Sequence, residues 1–233
     1  MISIKSPFTY PVVKDESTTE NGRVYFIRHN NFEYDPLYSV TTIISRMSNV
    51  KDAVEEWKNL IGHDKANQII SKSTNIGDRM HDILHYRLTE TPNYENKFKK
   101  NFLFEVANKL ANNIQSNYLE KKLTELWGSE TPLFIPQLYA GRADLIGVYN
   151  GKPSIIDFKN SYKDKKEEHM ENYFLQSAAY AVAHNYLYNT DIDQFVILFG
   201  NSTDFTVSER IVTGDEFNYW KNRWLNILKD FFE

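Results

Sequence analysis

Apolar residues fall at helical spacing through the first half of this chain and at strand spacing through most of the second. Val54, Trp57, Leu60 and Ile61 lie on one helical face, and Ile76, Met80, Ile83, Leu84 and Leu88 on another. Ser39-Val40-Thr41-Thr42 precedes an apolar run, the pattern of a capped helix start. Thr91-Pro92-Asn93 breaks the helical pattern, and a second long helix is predicted over 96–118. After about Leu123 the period shortens. Strands are predicted over 123–130, 133–139, 143–149 and 154–158, with Asn150-Gly151 as a tight hairpin turn. A helix over 168–188 and strands over 194–199 and 204–208 follow. Thr213-Gly214-Asp215-Glu216 opens a final amphipathic helix carrying Trp220, Trp224, Leu225 and Leu228, with the two tryptophans read as core. Residues 1–38 read as an extended lead with one short strand over 23–27 and a turn at Asn30-Asn31.

This order of elements fits one α/β or α+β domain over 1–233. Its expected parts are a lead and helical part over 1–122 and a core over 123–233, a central mixed sheet flanked by helices. Hydrophobic content of 41% and charged content of 25% keep the chain in the soluble globular class. No run of about 18 apolar residues is present, so no membrane span is expected. Met1-Ile2-Ser3-Ile4-Lys5 has neither a signal-peptide core nor an Arg-rich transit helix, so an intracellular location is expected. The chain has 0 cysteines, which excludes disulfides, thiolate zinc sites, thiol nucleophiles and iron–sulfur clusters. A net charge of −4 argues against bulk electrostatic coating of nucleic acid, though it leaves room for a local basic groove.

Within the sheet region, Ile155-Ile156-Asp157-Phe158-Lys159 carries the chemistry. On a strand Asp157 and Lys159 share one face while Ile156 and Phe158 take the other. Asp144, on the preceding strand, is expected to swing in beside Asp157. Two carboxylates and an ammonium at a sheet edge can hold a divalent cation and activate a water, which points to phosphodiester hydrolysis. Asp144 and Asp157 are the expected ligands of Mg²⁺ or Mn²⁺, with Glu130 and His81 completing the shell or orienting a water. Lys159 is expected to hold the water and stabilise developing charge. Gln176 and Tyr180 are four apart and share a helical face. Lys163, Lys165 and Lys166, and a second cluster of Lys97, Lys99 and Lys100, are candidate phosphate contacts. Ser39, Thr41 and Thr42 stand at a helix N-terminus able to bind phosphate, and aromatics over 31–38 are candidates to stack on unpaired bases.

In order, the elements are Gly77-x-x-x-His81, Glu130, Gly141-x-x-Asp144, Asp157-x-Lys159 and Gln176-x-x-x-Tyr180. This succession resembles the RecB-like branch of the PD-(D/E)XK nuclease superfamily. More closely, Gly77-Asp78-Arg79-Met80-His81, Ile156-Asp157-Phe158-Lys159-Asn160-Ser161 and Leu175-Gln176-Ser177-Ala178-Ala179-Tyr180 are similar to segments of the mitochondrial genome maintenance exonuclease family and its phage-type relatives. The likeness covers roughly 37–232. It implies a restriction-endonuclease-like core and a Mg²⁺- or Mn²⁺-dependent exonuclease of single-stranded DNA in replication, repair or recombination. It also implies that the Phe158 carbonyl is a metal ligand and that Gln176 and Tyr180 steady Lys159, a carboxylate or the DNA strand. Asn160, Ser161 and Lys163 are placed with the substrate on the same ground.

Two positions depart from the family pattern: Asn160 stands where Thr is common, and His85 where Glu is frequent. Both leave the ligand list open. Some relatives carry a four-Cys iron–sulfur cluster, which this chain cannot. The implied setting is a bacterial or phage-infected cytoplasm, with DNA as partner, no membrane, and replication or recombination machinery as the candidate protein partners. An endonuclease or duplex-degrading exonuclease on the same core, and an inactive DNA-binding module, remain as alternatives.

Overall fold

The computed structural model describes residues 2–5, 7–48, 50–162 and 170–233. The N-terminal part runs β1 (Ser3–Ile4), β2 (Val12–Thr19), β3 (Gly22–His29), β4 (Phe32–Glu33), β5 (Leu37–Tyr38), α1 (Val40–Met47), α2 (Val50–Ile61), α3 (His63–Leu88), α4 (Phe102–Ile114) and α5 (Glu120–Lys122). The remainder runs β6 (Leu123–Ile135), β7 (Tyr139–Tyr149), β8 (Lys152–Ser161), α6 (Glu171–Tyr188), β9 (Gln194–Asn201), β10 (Val207–Thr213) and α7 (Gly214–Phe232).

The expected fold class is the one found. A six-stranded mixed sheet has the order β1-β6-β7-β8-β9-β10, with β1–β6 and β8–β9 parallel and the other pairs antiparallel. Strand alternation sorts its side chains into two cores. Ile155, Phe195 and Ile197 pack against α1, α6 and α7, while Ile156, Phe158, Val196 and Leu198 pack against α3 and α4. The parallel β8–β9 pair is bridged by α6, the connection that a parallel pair requires.

Several boundaries differ from expectation. The two strands predicted over 123–130 and 133–139 are one strand up to Ile135, bent by irregularities after Leu123 and Leu126. The turn-like Gly128–Pro132 run therefore lies inside β6. The last strand is Val207–Thr213 rather than 204–208, because Asp204 spends its carboxylate on the Thr206 amide and hydroxyl in a turn. The second long helix is shifted from the predicted 96–118: α4 begins at Phe102, capped by the Asn101 side chain, and helical backbone runs on through a π turn at Gln115–Leu119 into α5, ending at Lys122. Start residues 168 and 169 of the predicted helix before β9 lie outside the described residues. Asn150 and Gly151 both have positive φ, as a two-residue hairpin turn demands, and so do Asn30 and Asn31.

The N-terminal lead is a sheet of its own. β2, β3 and β4 form a meander, β5 pairs with β3, and Ser39 bridges to Ala140 of the central sheet. Among the expected base-stacking aromatics, Tyr34 packs on Phe134 and Tyr38 on Phe231, and Phe32 is the strongly exposed one at 69%. Trp224 is fully buried against Tyr139, whereas Trp220 is partly buried against Phe174. No helix of the described residues is long and apolar enough to cross a membrane.

A buried histidine marks the far end of α6. His184 sits among Phe8, Trp127 and Tyr188. The Thr190 hydroxyl donates to Asn185, so His184 Nδ1 donates to Thr190 Oγ1 at 2.8 Å and Nε2 accepts from Tyr10, 3.3 Å away. Burial pushes this imidazole down to about 4. The folded protein therefore keeps it neutral while the unfolded chain takes up a proton below about 6.5. Its contribution is intact above that value and is lost as pH falls toward 4, by about 3 kcal/mol at most. Urea unfolding at pH 7.5 and pH 5 should show a smaller acid loss for His184→Phe than for the parent; equal losses would contradict this account.

Candidate active site

β7 and β8 stop pairing at Leu145 and Ile156, and the next residue on each strand is a carboxylate. There the Phe158 amide donates to Asp144 Oδ2 at 2.7 Å instead of to a strand partner. The two acids thus meet where the ladder opens. Asp157 is 1% exposed and Asp144 8% exposed. Lys159 shares the face of Asp157, as alternation requires, and its Nζ lies 2.7 Å from Oδ1 and 2.5 Å from Oδ2. The ammonium also stands 5.1 Å from the Tyr173 ring centroid.

From the other side of the sheet, α3 brings His81. Its Nε2 donates to the Phe158 carbonyl at 2.9 Å, since a carbonyl can only accept. Nδ1 then faces Asp144 Oδ2 at 3.5 Å and Glu130 Oε1 at 3.6 Å. Glu130 reaches this position from within β6 through a left-handed backbone, φ 51°. Ligand atoms of His81, Glu130 and Asp144 all lie within 4.8 Å of one another. Asp157, expected among the ligands, lies across from Asp144 but is engaged by Lys159.

The electrostatics follow from crowding in a buried space. Burial works against charge on His81, yet Asp144 and Glu130 outweigh it and raise its pKa well above the ordinary value. Burial likewise opposes charge on Asp144, but His81, Lys159 and the Phe158 amide hold it below the usual range. Asp157 is pushed up to about 7 by burial and Asp144, against the pull of Lys159. Lys159 is raised because the two carboxylates overcome its desolvation. The two acids are thus pushed apart, Asp144 down and Asp157 up.

A cavity of about 540 Å³ opens over this cluster. One wall is a face of α3, where Thr74, Asp78, His81 and Asp82 recur at helical spacing. The facing wall comes from the N-terminal sheet and α1, with Glu16, Arg23, Tyr25, Ser39 and Thr41. Gln176 and Tyr180 line it from α6, joined by a 3.3 Å hydrogen bond. A larger cavity of about 660 Å³ near Arg87 has no such cluster among the described residues, and its arginine is bound to Tyr94, Gln115 and Asn108.

The remaining expected site residues divide. Thr42 is buried and hydrogen-bonds the backbone of Arg23, so it holds the N-terminal sheet to α1. Asn160 lines the cavity, but its amide donates to Ser73 O at 3.2 Å, tying β8 to α3. Ser161 is not among the lining residues, and its carbonyl accepts from Ser202. Lys163, Lys165 and Lys166 lie outside the described residues. Lys97 stacks on Tyr86 and Lys100 pairs with Glu95. His85 bonds Ser129 and does not line the cavity. Arg23, Asp82 and Arg142 line the cavity without having been singled out from the sequence. The helical spacing of Asp78 and Asp82 with His81 was a usable signal for one of them.

Two glycines make the site possible by close approach. A Cβ on Gly77 would lie 2.6 Å from Asn160 Oδ1, so a side chain there would push aside the amide that ties β8 to α3. A Cβ on Gly141 would lie 2.6 Å from the Tyr180 ring. Gly141→Ala should therefore displace Tyr180, cost about 1–3 kcal/mol of stability and lower activity together. Urea titration and turnover of the purified variant check this; an unaltered midpoint would show that the ring yields freely.

No protein-family model matches this chain, and no curated protein matches it. Among solved structures, it is similar to a protein from Eubacterium rectale described as a "Putative exonuclease", at 14% identity and a TM-score of 0.49. The match covers 68% of this chain and 64% of the other, so the chain spans less than two thirds of that protein's length.

Proposed function

We propose that this protein is a nuclease acting as one unit over 1–233. It hydrolyses phosphodiester bonds of DNA with Mg²⁺ or Mn²⁺, working from ends and favouring single strands. The observation that carries the reading is the convergence of His81, Glu130 and Asp144 within 4.8 Å, with Lys159 ion-paired to Asp157 beside them. The carboxylate oxygens suit a hard divalent ion such as Mg²⁺ or Mn²⁺, and the imidazole nitrogen shifts the preference of the set toward the transition metal. His81, Glu130 and Asp144 would hold it, with Asp157 and the Phe158 carbonyl as the neighbouring candidates. When bound, the ion supplies Lewis acidity that lowers the pKa of a water and neutralises phosphate charge.

The side chains around it have separate tasks. Asp157 fixes the Lys159 ammonium, whose Nζ protons stabilise charge that develops on phosphate oxygen. The Phe158 amide fixes Asp144, and the Phe158 carbonyl fixes the His81 ring with Nδ1 turned toward the acids. Gln176 and Tyr180 form the wall on the α6 side, where an unpaired strand would lie. The resemblance in motif order supports the same reading and supplies the preference for ends and single strands.

The test is cleavage of end-labelled single-stranded, duplex and circular DNA with Mg²⁺ or Mn²⁺. Release of nucleotides from single-strand ends is the expected result. Cutting of a circle would replace exonuclease with endonuclease, and absence of any divalent-dependent cleavage would remove the nuclease reading.

A further inference from the structure

The cavity is crowded with negative charge. Glu16, Asp78, Asp82 and Glu130 line it, and Asp144 and Asp157 lie buried behind. A phosphodiester strand entering this space needs cationic contacts besides a metal. Three lysine or arginine side chains line the cavity among the described residues: Lys159, Arg23 and Arg142. Lys159 is committed to Asp157. That leaves the two arginines.

Their positions differ in a useful way. Arg142 is exposed and stands two residues before Asp144 on β7, about 7 Å along an extended strand. That separation is comparable to the spacing of successive phosphates in an extended strand. The Arg142 side chain makes no hydrogen bond or ion pair among the described residues, and because a Cβ on the preceding Gly141 would face Tyr180 of α6, strand alternation turns Arg142 to the opposite, α3 side. Arg23 is also exposed, and its backbone is tied to Thr42, so it lines the cavity from the wall made by the N-terminal sheet and α1. Both line the cavity that opens over the cluster.

Resting on the nuclease reading above, we infer that Arg142 and Arg23 are phosphate-binding residues on either side of the cleavage point. Each takes a backbone phosphate of a single strand drawn across the cluster. A guanidinium fits this role, since its planar donor fork matches phosphate oxygens and its charge does not titrate. Both residues are positioning residues; neither touches the reacting atoms.

The test measures binding of a fluorescein-labelled oligodeoxythymidine to the full chain by anisotropy, with Ca²⁺ replacing Mg²⁺, across a KCl series. Steady-state kinetics with Mg²⁺ run in parallel. Arg142→Ala and Arg23→Ala should each make the slope of log affinity against log salt shallower by about 0.7, the loss of one single-strand phosphate contact. KM should rise about tenfold while kcat changes little. Lysine at either position should restore the slope, which a merely structural defect would not allow. If the parent cleaves DNA while the alanine variants keep its slope and KM, the arginine assignment is wrong and the nuclease reading stands. If the parent neither binds nor cleaves DNA, both fall.

Discussion

Asp144→Asn is expected to abolish divalent-dependent cleavage while leaving a folded protein. The carboxylate accepts from the Phe158 amide, faces His81 Nδ1 and belongs to the three-residue cluster, so its charge serves three contacts at once. An asparagine oxygen can still accept from the Phe158 amide, which keeps β7 and β8 in place. What disappears is the negative charge that the site presents to a cation. A loss of at least about 10²–10³ in turnover is the size associated with removing one such electrostatic contact. Mn²⁺ titration by calorimetry should show weakened binding as well. Lys159→Ala supplies the contrast, since it should retain Mn²⁺ binding while losing turnover. It leaves Asp157 buried without its partner, so its stability should fall too. Cleavage by Asp144→Asn at the parent rate would move the metal site elsewhere.

Trp224→Ala is expected to produce the largest loss of stability, about 3–5 kcal/mol. Trp224 is fully buried on α7 and meets Tyr139 edge-on with ring centroids 5.0 Å apart. Tyr139 in turn donates its hydroxyl to the Ala179 carbonyl at 2.8 Å, inside the helix that carries Gln176 and Tyr180. The cavity left by the indole would therefore loosen the wall of the site as well as the core. Against a total stability of roughly 5–15 kcal/mol, that is a large fraction. Chemical denaturation should show it directly, and Trp224→Phe should cost much less. A loss under about 1 kcal/mol for Trp224→Ala would mean that α7 closes over the gap.

The sheet and the floor of the site were legible because strand alternation is a local rule. Asp157 and Lys159 share a face, Phe158 takes the other, and Asn150-Gly151 makes the turn, all from spacing alone. The helical face bearing His81 was legible for the same reason. The N-terminal sheet was legible only in part, through the strand at 23–27 and the turn at Asn30-Asn31. β2 was missed: it is an exposed edge strand, so its polar run from Lys14 to Thr19 shows no alternation, and Asn21-Gly22 at its turn was its one signal. Thr131-Pro132 in the middle of β6 looked like a turn. It is tolerated because β1 covers only Glu125 and Leu126, leaving the rest of that strand an edge. Arg23 and Arg142 were hidden for a different reason. Their meaning depends on which elements face each other across the cavity, and spacing along the chain does not encode that.

Glu130 carries a final consequence. Its backbone is left-handed inside a strand, a conformation that costs a non-glycine residue about 1–2 kcal/mol. A screen for thermal tolerance alone would favour glycine here, and would discard a carboxylate of the cluster in doing so. Position 130 is therefore where robustness and chemistry compete most directly, and variants collected for one should be poor in the other.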